Sequence, residues 1–202
     1  MLAIETMNQK IYKAFNDELF TRLEKNTFTT EDSVRYTFFA NLMKHTALAT
    51  HDIVLEFPHN TLDGAEIDTY LPSYDGNEVI IEFKYDRAIP SGKNSPRPQK
   101  AGKHFNDMKR LLDFKTSLPA MRLFIYLTDD EMASYMRNPS NNLVDYFDLK
   151  PGNQIKVDQL FFNNKSATFQ NAAGGVFMAS IRCEWSGTLP KKHELRICRI
   201  DK

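Results

Sequence analysis

Between Asp52 and Tyr85 apolar and polar residues alternate in three short runs, and only a few residues separate each run from the next. The runs Asp52–Phe57, Ala65–Leu71 and Glu78–Tyr85 are rich in β-branched and aromatic residues, and a period of two is that of a strand. Pro58, Asn60, Asp63 and Gly64 punctuate the first gap; Pro72, Ser73, Asp75 and Gly76 punctuate the second. Connections this short join antiparallel neighbours. The pattern then changes. Arg87–Pro98 carries Pro90, Gly92, Pro96 and Pro98 and reads as a loop. Gln99–Lys115 sets Phe105, Met108, Leu111 and Leu112 on one helical face, and Leu123–Leu127 reads as an interior strand. A helix between two strands permits a parallel crossover, so a mixed sheet is expected.

The flanks complete an α/β order. Ile4, Met7, Ile11, Phe15, Leu19 and Leu23 are three or four residues apart and predict a long amphipathic first helix. A second helix is expected from Thr29 or Thr30, with Glu31 and Asp32 in its first turn and Val34, Phe38, Leu42 and His45 on its buried stripe. Asp129 and Asp130 open another helix through Tyr135 and Met136. The remainder reads as several short strands, with turns at Pro151-Gly152, Gly174-Gly175 and Ser186-Gly187 and a hairpin of Arg182–Trp185 with Leu195–Ile200. A chain of 202 residues suits one such domain. The expectation is a single domain over 1–202: a core of about 29–127, an N-terminal helix in 1–28, and a helical and β-rich extension over 128–202.

Equal numbers of basic and acidic residues, 26 each, exclude a polycation that binds nucleic acid by bulk charge. Local charge is another matter. From Lys84 to Lys115 nine Lys or Arg stand against three acids (Asp86, Asp107 and Asp113), a net of +6. Cys183 and Cys198 lie in no metal-binding spacing and read as reduced structural thiols. With no apolar run near the ~20 residues of a membrane span and no signal-peptide layout at the start, a cytoplasmic location is expected.

The chemistry concentrates on the run Val79–Tyr85. Glu82 and Lys84 are two apart and share a strand face, in a segment otherwise apolar enough to be interior. A charge buried alone is costly, so the two must be exposed at the strand end, paired, or bound to a metal. Asp68 on the preceding run can sit opposite Glu82. Two carboxylates and a Lys on adjacent strands make a hard-oxygen site for Mg²⁺, which needs only one or two protein carboxylates. The Lys can hold or help deprotonate an attacking water and offset charge on a phosphate. Glu66, two residues from Asp68 on the same face, is a rival ligand.

Asp68, followed on the next strand by Glu82-Phe83-Lys84, resembles the Asp…(D/E)-x-K signature of PD-(D/E)XK, or restriction-endonuclease-like, nucleases. The resemblance covers about Thr29–Leu127, and the residue before Asp68 is Ile67 in place of the signature Pro. It implies a restriction-endonuclease-like core and a metal-dependent DNA endonuclease. Its metal would be Mg²⁺, with Mn²⁺ as substitute, held by Asp68, Glu82 and the Phe83 backbone carbonyl. Lys84 would stand beside the nucleophile, and Glu31, similar to the acidic helical residue of such families, would act through water. Gln99 and Lys100 occupy the place of the polar residues that follow the strand. Lys93, Arg97, Gln99, Lys100 and Lys103 would contact the DNA backbone. A double-strand cut with one site per chain would call for a homodimer, for which the first helix can serve as interface unless its apolar face packs on its own sheet.

Other residues carry less. The five His residues are scattered, although His104 and Lys103 could touch phosphate, and Gly102, Gly174 and Gly175 form no phosphate loop. Asp107 and Arg110, three apart, read as a helix-surface pair. Two alternatives to the nuclease stay open: a catalytically silent DNA-binding module of the same fold, and a phage or mobile-element interaction protein.

Overall fold

A computed structural model describes residues 2–87 and 94–202, and only the backbone of residues 2–7. Lys93, and with it much of the loop expected over Arg87–Pro98, lies outside the described residues, as do the side chains of Ile4 and Met7. Helices α1 (Leu2–Glu24) and α2 (Glu31–His45) precede strands β1 (Val54–Pro58), β2 (Glu66–Tyr74) and β3 (Asn77–Asp86). Next come α3 (Arg97–Asp113), β4 (Ala120–Thr128) and α4 (Asp130–Arg137). The C-terminal part holds α5 (Val144–Phe147), β5 (Gln154–Val157), α6 (Gln159–Asn163), α7 (Ala167–Ala172), β6 (Ala179–Leu189) and β7 (His193–Asp201).

Among the described residues the strands form one seven-stranded mixed sheet in the order β1-β2-β3-β4-β7-β6-β5. Only β3 and β4 run parallel, with α3 as the crossover, and every other neighbour is antiparallel. Helices cover both faces. Ile11, Phe15 and Leu19 of α1 and Phe38 and Leu42 of α2 pack on Val79, Ile81, Phe83, Leu123 and Ile125. Phe105, Met108 and Leu111 of α3 pack with α4–α7 on Ile80, Phe124, Tyr126 and Ile181. The apolar stripe of α1 is therefore spent on its own sheet. His45 is only half-buried, at the end of its helix.

Local chemistry explains the boundaries. Thr30 caps α2: its hydroxyl accepts from Ser33 N–H at 3.2 Å while Ser33 Oγ accepts from Thr30 N–H, so two orphan donors are satisfied at once. Pro98 falls in the first turn of α3, where a missing N–H costs nothing, so the helix starts ahead of the expected Gln99. Asp75 and Gly76, at φ 49° and 75°, form the tight β2–β3 turn. Pro72 and Ser73 belong to β2, where the register shifts. Ser186-Gly187 is likewise no turn: β6 continues through it, and the hairpin closes at Pro190–Lys192. Of the stretch after α4 read as several short strands and a hairpin, β5 and the β6–β7 hairpin are strands, and α5, α6 and α7 are short helices instead.

Candidate active site

Strands β2 and β3 pair as far as Thr69 opposite Ile81 and then part, while β3 remains paired with β4 as far as Asp86 opposite Thr128. The fork leaves main-chain groups of β3 facing a gap, and unpaired buried N–H groups are expensive. Two carboxylates fill the need. Asp68 Oδ2 accepts from Phe83 N–H at 2.7 Å, and Glu31 Oε2, from the first turn of α2, accepts from Tyr85 N–H at 2.9 Å. In a strand the N–H and C=O of one residue point to the same side, so the Phe83 carbonyl also faces the gap.

Glu82 and Lys84 lie on the sheet face covered by α3, and α3 answers them. Lys84 Nζ is 3.5 Å from Asp107 Oδ2 and 3.6 Å from Glu31 Oε2. Arg110 Nη2 is 3.1 Å from Glu82 Oε1 and Arg110 Nη1 is 3.4 Å from Asp107 Oδ1, while the same guanidinium also donates to the Glu66 carbonyl. Arg35 of α2, itself buried, closes the far side at 3.0 Å from Asp32, 3.6 Å from Glu56 and 3.8 Å from Asp68. The pair expected of Asp107 and Arg110 forms, but on the buried face of the helix and not at its surface. Asp107 is buried and directed at Lys84, because it lies one helical turn from Leu111 on the face that meets the sheet. Glu66, the rival of Asp68, is exposed.

The structure therefore gathers Glu31, Asp68, Glu82, Lys84 and the Phe83 main chain, and adds Asp107, Arg110 and Arg35. Burial raises the Glu82 carboxyl well above its ordinary value; Asp68 beside it adds to the rise and Arg110 opposes it. Burial likewise raises Glu31 and Asp107, only partly offset by Lys84. For Lys84 burial pulls the other way, but Asp107, Glu31, Asp68 and Glu82 outweigh it and hold the amine protonated above its usual range. Burial is the first cause of all three rises, and the neighbouring carboxylates add to it.

Carboxylates gathered and buried in this way bear on a metal. Among the described residues no group of three or more His, Cys, Asp or Glu is arranged to hold an ion. Mg²⁺ asks for less, one or two carboxylates with water and substrate oxygens for the rest. Glu82 Oε1 is buried, and the Arg110 guanidinium 3.1 Å away is its ion-pair partner without hydrogen-bond geometry. A buried carboxylate next to Asp68 and a strand carbonyl is a donor set that fits a hard cation, which would compete with Arg110 for Glu82.

The basic residues expected to meet nucleic acid spread over the start of α3. Lys103 is exposed, Gln99 is half-buried, and Arg97 forms an exposed pair with Glu131 at 2.8 Å. Lys100 lines a cleft with Glu31 and Asp86. His104 is not at the surface. It is fully buried, with Nε2 2.7 Å from Asp86 Oδ2, and Tyr126 Oη donates to the same oxygen at 3.2 Å. Burial alone would raise the Asp86 carboxyl, but His104, Lys100 and Tyr126 together hold it below its ordinary value. This cluster clamps the end of β3 to α3. Cys183 and Cys198 are free, buried and opposite one another on β6 and β7. Among the described residues no helix is long and apolar enough to cross a membrane. No protein-family model, curated protein or solved structure matches the chain, so the reading of the site rests on its own geometry.

Proposed function

We propose that this chain is a Mg²⁺-dependent nuclease of restriction-endonuclease-like fold that hydrolyses phosphodiester bonds in DNA. One observation carries the reading: Asp68 and Glu82 converge where β2 and β3 part, with Lys84 on the same face as Glu82. Asp68, Glu82 and the Phe83 carbonyl would hold the ion, with Mn²⁺ as substitute. When bound, it supplies Lewis acidity and a water of lowered pKa. Lys84, kept cationic by its carboxylate neighbours, donates to the nucleophile or a phosphate oxygen and offsets charge as the bond breaks. Glu31 orients Lys84 and holds the Tyr85 main chain, and lies within reach of a bridging water. Lys100 and Lys103, with Arg97 and Gln99, can neutralise and position the incoming backbone.

A binding module without turnover is the second reading. It is favoured by the Arg110 guanidinium, which already gives Glu82 a cation partner at 3.1 Å. Incubation of plasmid with Mg²⁺ or Mn²⁺ separates the two. The wild type is expected to nick, Glu82→Ala to be inactive, and Lys84→Ala to be slower by roughly 10²-fold or more. Equal nicking by all three preparations would sink the nuclease assignment, and DNA affinity without cleavage would favour the module.

A further inference from the structure

Phe28 stands in the short link between α1 and α2 and is 71% exposed. One of its faces is occupied. The Arg87 guanidinium carbon is 4.7 Å from the ring centroid, and Arg87 directly follows the last residue of β3. Arg87 is held in turn by Lys100, whose Nζ is 3.4 Å from the Arg87 carbonyl oxygen. Arg87 and Lys100 line a cleft of about 350 Å³ together with Glu31, Tyr85 and Asp86. The size is that of a pocket for a small molecule, about 300–1,000 Å³. Glu31 joins this cleft to the carboxylate site, because the same Oε2 that accepts from Tyr85 N–H is 3.6 Å from Lys84 Nζ.

An aromatic ring under a guanidinium, with a second cation behind it, is suited to a ligand that has both a flat π face and a negative charge. A nucleotide has both: its base stacks on a ring or on an Arg plane, and its phosphate meets the Lys. A base inside a duplex has its faces covered by its neighbours. Contact with the backbone of a paired duplex would need the cations alone and gives no role to Phe28.

We propose that the cleft beside the carboxylate site is a subsite for an unpaired nucleotide, with Arg87 of its lining and the Phe28 ring beneath that guanidinium, itself outside the lining, as the stacking platform. The substrate class is then single-stranded DNA, or a duplex carrying an unpaired strand. The inference rests on the nuclease reading and narrows it.

Fluorescence anisotropy in EDTA, with a labelled single-stranded 12-mer and the blunt duplex of the same sequence, tests binding apart from cleavage. Phe28→Ala is expected to weaken the single strand by about 5-fold or more and to leave the duplex within about twofold, while Phe28→Trp restores the single strand. Because the side chain is exposed, circular dichroism of both variants should match the wild type. The subsite is overturned if the wild type does not hold the single strand, if Phe28→Ala changes neither ligand, or if it weakens both equally. Adding Mg²⁺ to the same oligonucleotides reads the other question. Single-strand binding that depends on Phe28 but without cleavage supports the subsite and removes the nuclease reading. Cleavage by a protein whose single-strand affinity ignores Phe28 does the reverse.

Discussion

Glu82 shows what a single buried carboxylate does to this molecule. Its folded pKa is raised, by burial first and by Asp68 next, with Arg110 in opposition. For an acid raised on folding, the associated stability is fully present below the ordinary carboxyl range and is lost as pH climbs through the folded value; each unit of difference is worth about 1.4 kcal/mol. Glu82→Gln keeps the shape and removes the charge. In metal-free buffer at neutral pH the variant should therefore melt above the wild type, and the two should converge as pH falls toward the ordinary carboxyl range. Some decline with pH should persist in the variant, because Glu31 and Asp107 are raised as well. Thermal unfolding of both proteins across that range checks it, and a variant that melts lower at neutral pH would show that Arg110 gains more from the charge than burial costs. Asp68, Glu82 and Lys84 were legible in the sequence because strand periodicity fixes which side chains share a face. Asp107 was hidden by a local pairing rule that offered Arg110 as its partner. A helical wheel would have exposed it, one turn from Leu111 and one from His104. Arg35, between Val34 and the Phe38–Phe39 pair, stood at the edge of a buried stripe and carried no comparable signal.

Helix α3 brings His104, Asp107 and Arg110 to the site, and the close approach of α7 holds it there. Gly102 makes that approach possible. A Cβ at this position would collide with the Phe169 carbonyl oxygen and come within 2.7 Å of Ala172 Cβ, and neither backbone nor methyl can swing aside. Alanine would gain about 0.5–1 kcal/mol in helix propensity, but overpacking of this kind costs about 1–3 kcal/mol. Gly102→Ala is accordingly expected to destabilise by about 1–2 kcal/mol, a fall in Tm of roughly 2–8 °C for a chain of this size. A thermal melt at or above wild type would mean that α7 can retreat. The role of this glycine was not readable from the sequence, since the helix it meets was not. The hairpins β1–β2 and β2–β3 and the long helices announce themselves through turn residues and sustained periodicity. Helices α5, α6 and α7 have four to six residues each, too short for a helical period to repeat. The only advance signs were the caps of α6 and α7, where Asp158 accepts from Leu160 and Phe161 N–H and Ser166 accepts from Phe169 N–H, while α5 has no side-chain cap.

At the scale of the molecule, the fork between β2 and β3 is where the two helical layers meet through the sheet. Glu31 arrives from α2 on one side, Asp107 from α3 on the other, and Asp68 and Glu82 from the strands that part. Four elements thus contribute acids to one place, and burial, with their mutual repulsion added, opposes charging them there. A cation taken up by the folded chain and not by the unfolded one would relieve that opposition and stabilise by RT ln(1 + [L]/Kd), about 1.4 kcal/mol at a tenfold excess over Kd. Since the layers are joined at the site, the gain should appear in global unfolding, as a rise of roughly 3–6 °C. Titration with Mg²⁺ or Mn²⁺ should produce this rise in the wild type, EDTA should reverse it, and Asp68→Asn and Glu82→Gln should each blunt it. Ca²⁺, which also takes oxygen ligands but in larger number, should do less with so few carboxylates. Equal shifts in the wild type and both variants would mean that the ion binds elsewhere, and that the fork is held by Arg35, Lys84 and Arg110 alone.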